Sequence, residues 1–183
     1  MSETQKAHSR RLREGWYDKY CPSDKSGLDI GCQRDPVNNT FRRWDVIFGD
    51  GDGAVLEGIP NETYFTIYAS HVLEHVDNPV AAVRRWWQVL KPQGHLIVCV
   101  PHRDMYEKKK KLPSHWNQEH KHYFLPETAE DPCTLSLKSV IEQAITSPYT
   151  FKEFRILDEG FEYHGDLKHS SGEYSIEAVV CKS

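Results

Sequence analysis

Five consecutive residues, His71-Val72-Leu73-Glu74-His75, put two imidazoles and a carboxylate at H-x-x-E-H spacing. That spacing suits two chemistries. On a helix the histidines stand one turn apart, ready for zinc, with Glu74 as the base of a hydrolase. At the end of a strand, His71 would instead be a neutral imidazole able to take a proton from a hydroxyl near pH 7. Elsewhere, Asp29-Ile30-Gly31-Cys32 sets an acidic residue before a Gly turn, and Asp45 follows sixteen positions after Asp29. An acidic side chain at roughly that distance can bond a ribose hydroxyl. The full fingerprint G-x-G-x-x-G is absent, because Gln33 and Arg34 follow Cys32. Repeated glycines let a backbone approach a pyrophosphate, so their absence suits a cofactor without phosphates.

These groups need elements to hold them. Gly27–Ile30 and Tyr64–Ala69 read as strands, and Trp44–Phe48 as a further one, followed by the loop Gly49-Asp50-Gly51-Asp52-Gly53. Asn78 and Pro79 supply the N-cap and first position of a helix, with Val80, Val83, Trp87 and Leu90 along one face. Pro92 and Gly94 end it, and Leu96–Val100 is apolar throughout, as in a strand buried on both sides of a parallel sheet. Ser2 to Tyr20 predicts an N-terminal helix with a basic face. Cys133, Leu137, Val140, Ile141 and Ala144 predict another helix, and Phe151–Leu157 and Tyr174–Cys181 two last strands. Between His102 and Glu130 the chain shows no period and holds His102, His115, His120 and His122 with Tyr106, Trp116 and Tyr123. A long segment of that kind is a functional loop, able to close over an acceptor. Trp86 and Trp87 are adjacent and point to different faces, one to the core and the other available to mark a homodimer surface.

Strands alternating with helices predict an α/β, Rossmann-like fold: a mostly parallel sheet with helices on both faces. Ligands in such sheets bind beyond the carboxyl ends of the strands. The 183 residues suit a single domain spanning 1–183, with an N-terminal helical region at 1–22 and an acceptor loop at 102–132. No run approaches the roughly 18 apolar residues of a membrane span. Net charge −4 argues against a nucleic-acid partner. Cys21, Cys32, Cys99, Cys133 and Cys181 include no CxxC pair and read as reduced thiols of a cytoplasmic chain. No third ligand for zinc can be named, so no metal is expected.

Four segments in order resemble successive motifs of class I S-adenosylmethionine-dependent methyltransferases, nearest the type 11 group. They are Asp29-Ile30-Gly31-Cys32, Gly51-Asp52-Gly53-Ala54-Val55-Leu56, Ser70-His71-Val72-Leu73-Glu74-His75 and Val89-Leu90-Lys91-Pro92-Gln93-Gly94. Val100-Pro101-His102 and Asn117-Gln118-Glu119-His120-Lys121 are similar to small members of sugar and polysaccharide pathways. The resemblance implies S-adenosylmethionine as cofactor. It gives Asp29, Gly31 and Cys32 the methionine end, Asp45 the ribose, Asp52 or its competitor Asp50 the adenine amine, and Ser70 and His71 the methyl-donor site. The expected reaction is methyl transfer to a small-molecule acceptor, a hydroxyl of a sugar or related metabolite. His71 and His120 are expected nearest the acceptor, with His102 in support. Two other classes remain open: a zinc hydrolase on His71, Glu74 and His75, and a catalytically silent relative that binds only cofactor or a partner.

Overall fold

The computed structural model describes residues 3–163 and 171–183. Its centre is a six-stranded sheet in the order β2-β1-β3-β4-β8-β7. The strands are β1 (Gly27–Ile30), β2 (Arg42–Trp44), β3 (Tyr64–Ser70), β4 (Leu90–Pro101), β7 (Tyr149–Leu157) and β8 (Ser175–Lys182). β2, β1, β3 and β4 run parallel, and β8 lies antiparallel to both β4 and β7. A separate parallel pair, β5 (Tyr123–Leu125) and β6 (Thr134–Ser136), stands off the main sheet.

Alternation along β4 shows why its sequence is apolar without a break. Leu96, Val98 and Val100 face one core, where α3 (Pro79–Val89) and α4 (Leu137–Ala144) pack with Val83, Trp86, Val140 and Ile141. Ile97 faces the other, with Trp16, Cys21, Phe41, Tyr68 and Val179. Helices cover both faces, as the alternating pattern predicts. Asn78 caps α3, its Oδ1 accepting from Ala81 N at 3.0 Å, with Pro79 next.

Several elements depart from expectation. The N-terminal helix is two: α1 (Glu3–Arg13) and α2 (Trp16–Tyr20), broken at Gly15, whose φ of 61° is left-handed. Ser2 lies outside the described residues. The basic face of α1 is not a solvent face. Arg11 is 1% exposed and donates to Glu177 at 2.6 Å and to the Tyr68 hydroxyl at 3.0 Å, while Arg10 forks onto Glu173. Truncating one partner of such a buried pair costs roughly 3–5 kcal/mol. β2 ends at Trp44, and Val46–Phe48 form a 3₁₀ turn, so Asp45 sits after the strand, not on it. The α3 helix passes into β4 at Leu90 without a loop at Pro92. Segment 102–132 is not wholly irregular: it contains a wide helical turn at Arg103–Glu107 and β5. Cys133 precedes α4, outside the helix. Both tryptophans are buried, Trp86 donating to Gly53 O and Trp87 to Ser147 Oγ, so neither marks an oligomer surface. All five cysteines are free, and no helix among the described residues is long and apolar enough to cross a membrane.

Candidate active site

A cleft of about 930 Å³ opens at the carboxyl ends of β1, β2 and β3. One end is walled by Gly31, Gln33, Asp45, Asp52 and Gly53, the other by His71, His75, Asn117 and His120. α3 fixes the first wall from behind. Trp86 Nε1 donates to Gly53 O at 2.8 Å, and the Arg85 guanidinium grips the carbonyls of Val55, Leu56 and Ile59. Gly31 (φ 70°) must be glycine, since a Cβ there would meet Val72 Cγ2 at 2.4 Å.

The acidic residues of this end are tied to backbone. Asp45, 7% exposed, accepts from Gln33 N at 2.8 Å and Ile47 N at 3.0 Å, joining the turn after β1 to the turn after β2. Asp50 accepts from Asp45 N at 3.2 Å and is not among the residues lining the cleft, whereas Asp52 lines it and accepts from Ala54 N at 2.8 Å. Asp29 points to the opposite face of the sheet and accepts from Val37 N at 2.6 Å; burial pushes its carboxyl up to about 7, against the pull of that N–H. Cys32, whose thiol burial raises to about 12, and Ser70 stand next to cleft residues without lining the cleft.

The histidine end brings together residues far apart in sequence. Val72–His75 is not on a long helix: a 3₁₀ turn, Leu73–His75, follows β3. The imidazoles therefore lack the one-turn helical stacking that the zinc-hydrolase reading requires, and that reading finds no support. Glu74 O accepts from Lys121 N at 2.8 Å and His122 N at 3.2 Å, which seats the 102–132 segment against this turn and brings His120 to Glu74. His120 Nδ1 lies 2.5 Å from Glu107 Oε1, at the end of the wide turn. His71 Nδ1, His75 Nε2 and His120 Nε2 lie 3.6, 4.0 and 3.9 Å from Glu74 Oε1. Glu74 is fully buried, and burial, then the charge of Glu107, pushes its carboxyl up to about 8. His102 lies outside the cleft. Its Nδ1 accepts from Asp104 N at 3.2 Å as the cap of the wide turn, and burial lowers its pKa. Sequence reasoning missed Glu107 entirely and gave Glu74 and His75 only a hydrolase role. The contact between the turn and the loop spans more than thirty residues and leaves no local pattern.

Strand order, the antiparallel β8 and the cleft at the strand ends define a class I methyltransferase fold. A methyltransferase-domain family model matches residues 4–131, and the chain belongs to that family. Solved structures agree at the level of fold. A SAM-dependent methyltransferase from Archaeoglobus fulgidus is 14% identical, with TM-score 0.56 over 98% of this chain and 94% of that one. A putative S-adenosylmethionine-dependent methyltransferase from Listeria monocytogenes is 10% identical, with TM-score 0.55 over 92% and 97%. The [4+2]-cyclase SpnF, 14% identical, gives TM-score 0.57 over 94% and 80%, a reminder that the fold hosts other chemistry. No curated protein matches the sequence.

Family and fold imply S-adenosylmethionine as the cofactor, and the cleft fits it. It offers carboxylates at Asp45 and Asp52 and a close-packed Gly53, where a Cβ would meet Ile30 Cγ2 at 2.7 Å.

Proposed function

We propose that this chain methylates a hydroxyl oxygen of a small polar acceptor of the sugar class, with the cofactor at the Asp45–Asp52 end of the cleft and the acceptor at the histidine end. The observation that carries this reading is the convergence of His71, His75 and His120 at one end of a cleft whose other end suits a nucleoside. In this reading Asp45 takes the ribose and Asp52 the adenine amine, and Gly31 lets the methionine end pass close to backbone. Asp29 faces away from the cleft and fixes the segment after β1 by accepting from Val37 N. The cofactor's sulfonium supplies an already activated methyl group.

The protein's own work is positioning and proton removal. Holding reactants in line can supply roughly 7–11 kcal/mol. His71 is the proton acceptor in this reading. Its side chain is 20% exposed at the end of β3, and its Nε2 is held by Ser175 Oγ at 2.9 Å. His120, 3% exposed and bound to Glu107, orients the acceptor from the loop. His102 takes no part beyond capping the turn. Sugar-class acceptors suit a site rich in imidazoles, with Asn117, Gln118 and Lys121 on its rim. The test is calorimetry with S-adenosylmethionine, followed by transfer of labelled methyl to a panel of sugars, polyols, amines and thiols. Label on a hydroxyl compound is expected. Transfer only to nitrogen or sulfur, or cofactor binding without any transfer, overturns the reading.

A further inference from the structure

Both carboxylate oxygens of Glu74 are buried without a hydrogen-bond partner among the described residues, and Glu107 Oε2 is in the same state. Leaving such groups unsatisfied is costly, and a purely structural position would be better filled by an apolar or amide side chain. The surroundings are not apolar. Three imidazole nitrogens point at Glu74 Oε1, and each of these rings holds its other nitrogen against an oxygen. His120 Nδ1 meets Glu107 Oε1 at 2.5 Å, His75 Nδ1 meets Glu119 O at 3.3 Å, and His71 Nε2 meets Ser175 Oγ at 2.9 Å. Outer-nitrogen anchoring by carboxylate, carbonyl or hydroxyl is how proteins orient histidines that ligate a metal. One ligand atom from each of Glu74, His75 and His120 falls within a group no more than 4.8 Å across. Bonds of about 2.0–2.2 Å at tetrahedral angles set ligand atoms about 3.3–3.6 Å apart, so side-chain rotation must draw the widest pair together by roughly 1–1.5 Å.

We propose that Glu74, His75 and His120 bind one divalent transition-metal ion at the histidine end of the cleft. Two imidazoles with one carboxylate favour the zinc, iron and cobalt group over magnesium or calcium, which prefer oxygen ligands throughout. Three protein ligands leave positions open, and His75 and His120 line the cleft, so those positions face the acceptor space. Here Glu74 is a ligand, unlike the base of the hydrolase pattern, and the third ligand comes from the loop at His120. His71 stays outside the set and keeps its role as proton acceptor. The site stands on geometry alone; its use in catalysis, holding an acceptor hydroxyl and lowering its pKa, rests on the methyl-transfer reading above.

The test uses the full chain, stripped with chelator and dialysed, then titrated with Zn²⁺, Co²⁺ and Mg²⁺ by calorimetry, with bound metal counted by mass spectrometry. One Zn²⁺ or Co²⁺ per chain is expected, with Mg²⁺ far weaker. Glu74→Gln, His120→Ala and His75→Ala should each weaken Zn²⁺ binding by at least about 100-fold, and Glu107→Gln by about 10–100-fold. His75→Ala guards against misfolding, because that side chain is 30% exposed. His115→Ala, on an exposed stretch of the loop, should bind like the parent. Binding below stoichiometry, or equal in all variants, overturns the site. Zinc bound with no methyl transfer sinks the functional reading and leaves the site standing. Unchanged transfer by chelated protein that takes up no zinc does the reverse.

Discussion

At the end of the cleft beside β1, the carboxylates accept hydrogen bonds from the chain's own backbone. Gln33 N and Ile47 N donate to Asp45 and Ala54 N to Asp52, while just off the cleft Asp45 N donates to Asp50 and, on the opposite face of the sheet, Val37 N donates to Asp29. At the other end, Glu74 and Glu107 are more deeply buried and keep unpartnered oxygens. The first end is organised before any ligand arrives. At the second, buried carboxylates face imidazoles in place of backbone amides. Short loops make the first arrangement: only eleven residues separate β1 from β2, so the acidic side chains fold back on neighbouring amides. The second needs a contact between a strand-end turn and a loop more than thirty residues further on, made by Lys121 N and His122 N on Glu74 O.

The largest expected effect lies at the histidine end. A general base contributes roughly 10²–10⁴-fold, so removing the His71 imidazole should lower turnover by about that factor. Asparagine is the replacement to use, because His71 has φ 56° and Asn tolerates the left-handed region. Cofactor affinity by calorimetry should stay within a few-fold of the parent. Equal losses in affinity and turnover would erase the division between the two ends.

Next comes a pH effect beneath the cofactor end. Asp29 titrates near 7 in the folded chain against an ordinary 3.8, because burial outweighs the Val37 N–H and the charges of Arg11 and Arg43, while Asp35 adds to the rise. A carboxyl raised on folding favours the folded state below its unfolded pKa, and that advantage fades as pH climbs through the folded value. Stability should therefore fall between about pH 4 and pH 7 by a few kcal/mol, since each unit is about 1.4 kcal/mol. Urea melts at pH 5 and pH 8 should show the loss in the parent and a flatter profile in Asp29→Asn. Parallel profiles would mean that the carboxyl is not buried as described.

Asp45→Ala should act on stability and binding together. Two backbone N–H groups lose their acceptor, a loss of about 1–3 kcal/mol at a buried position. Cofactor affinity should drop with it, because the turns after β1 and β2 are no longer joined. Full stability with weakened binding would make Asp45 a ligand contact only and the wall less self-sufficient than its hydrogen bonds indicate.

The same contrast explains what was legible in the sequence. β1, β3, the core of β4, β7, β8 and the capped start of α3 are set by local chemistry: apolar runs, β-branched residues, Asn78-Pro79. Gly31, Asp45 and Asp52 were legible as strand-end residues for the same reason, and all three line the cleft, whereas Asp29, Cys32, Asp50 and Ser70 lie off it. Trp44–Phe48 misled because Val46, Ile47 and Phe48 look like strand yet are 70, 55 and 47% exposed. Their backbone turns to serve Asp45. Glu107 and the Glu74–His120 contact were invisible, since they arise from tertiary docking of the loop and follow no period. His102 was legible as a strand-end histidine but not as a cap, because the wide turn it caps has no sequence signature.

The smallest expected effect tests how completely the cofactor end is preorganised. Gln33 occupies φ 48°, where a side chain costs roughly 1–2 kcal/mol that glycine does not incur. Glycine in turn loses more freedom on folding, by roughly 0.5–1 kcal/mol. The backbone bond from Gln33 N to Asp45 needs no side chain, so Gln33→Gly keeps it. The net expectation is a gain of about 0.5–1 kcal/mol in urea melts, with cofactor affinity equal or slightly tighter. Gln33→Val, β-branched at the same φ, should instead destabilise. A loss of stability in Gln33→Gly would show that the glutamine side chain, exposed on the cleft wall, holds this turn in a way its backbone hydrogen bonds do not account for.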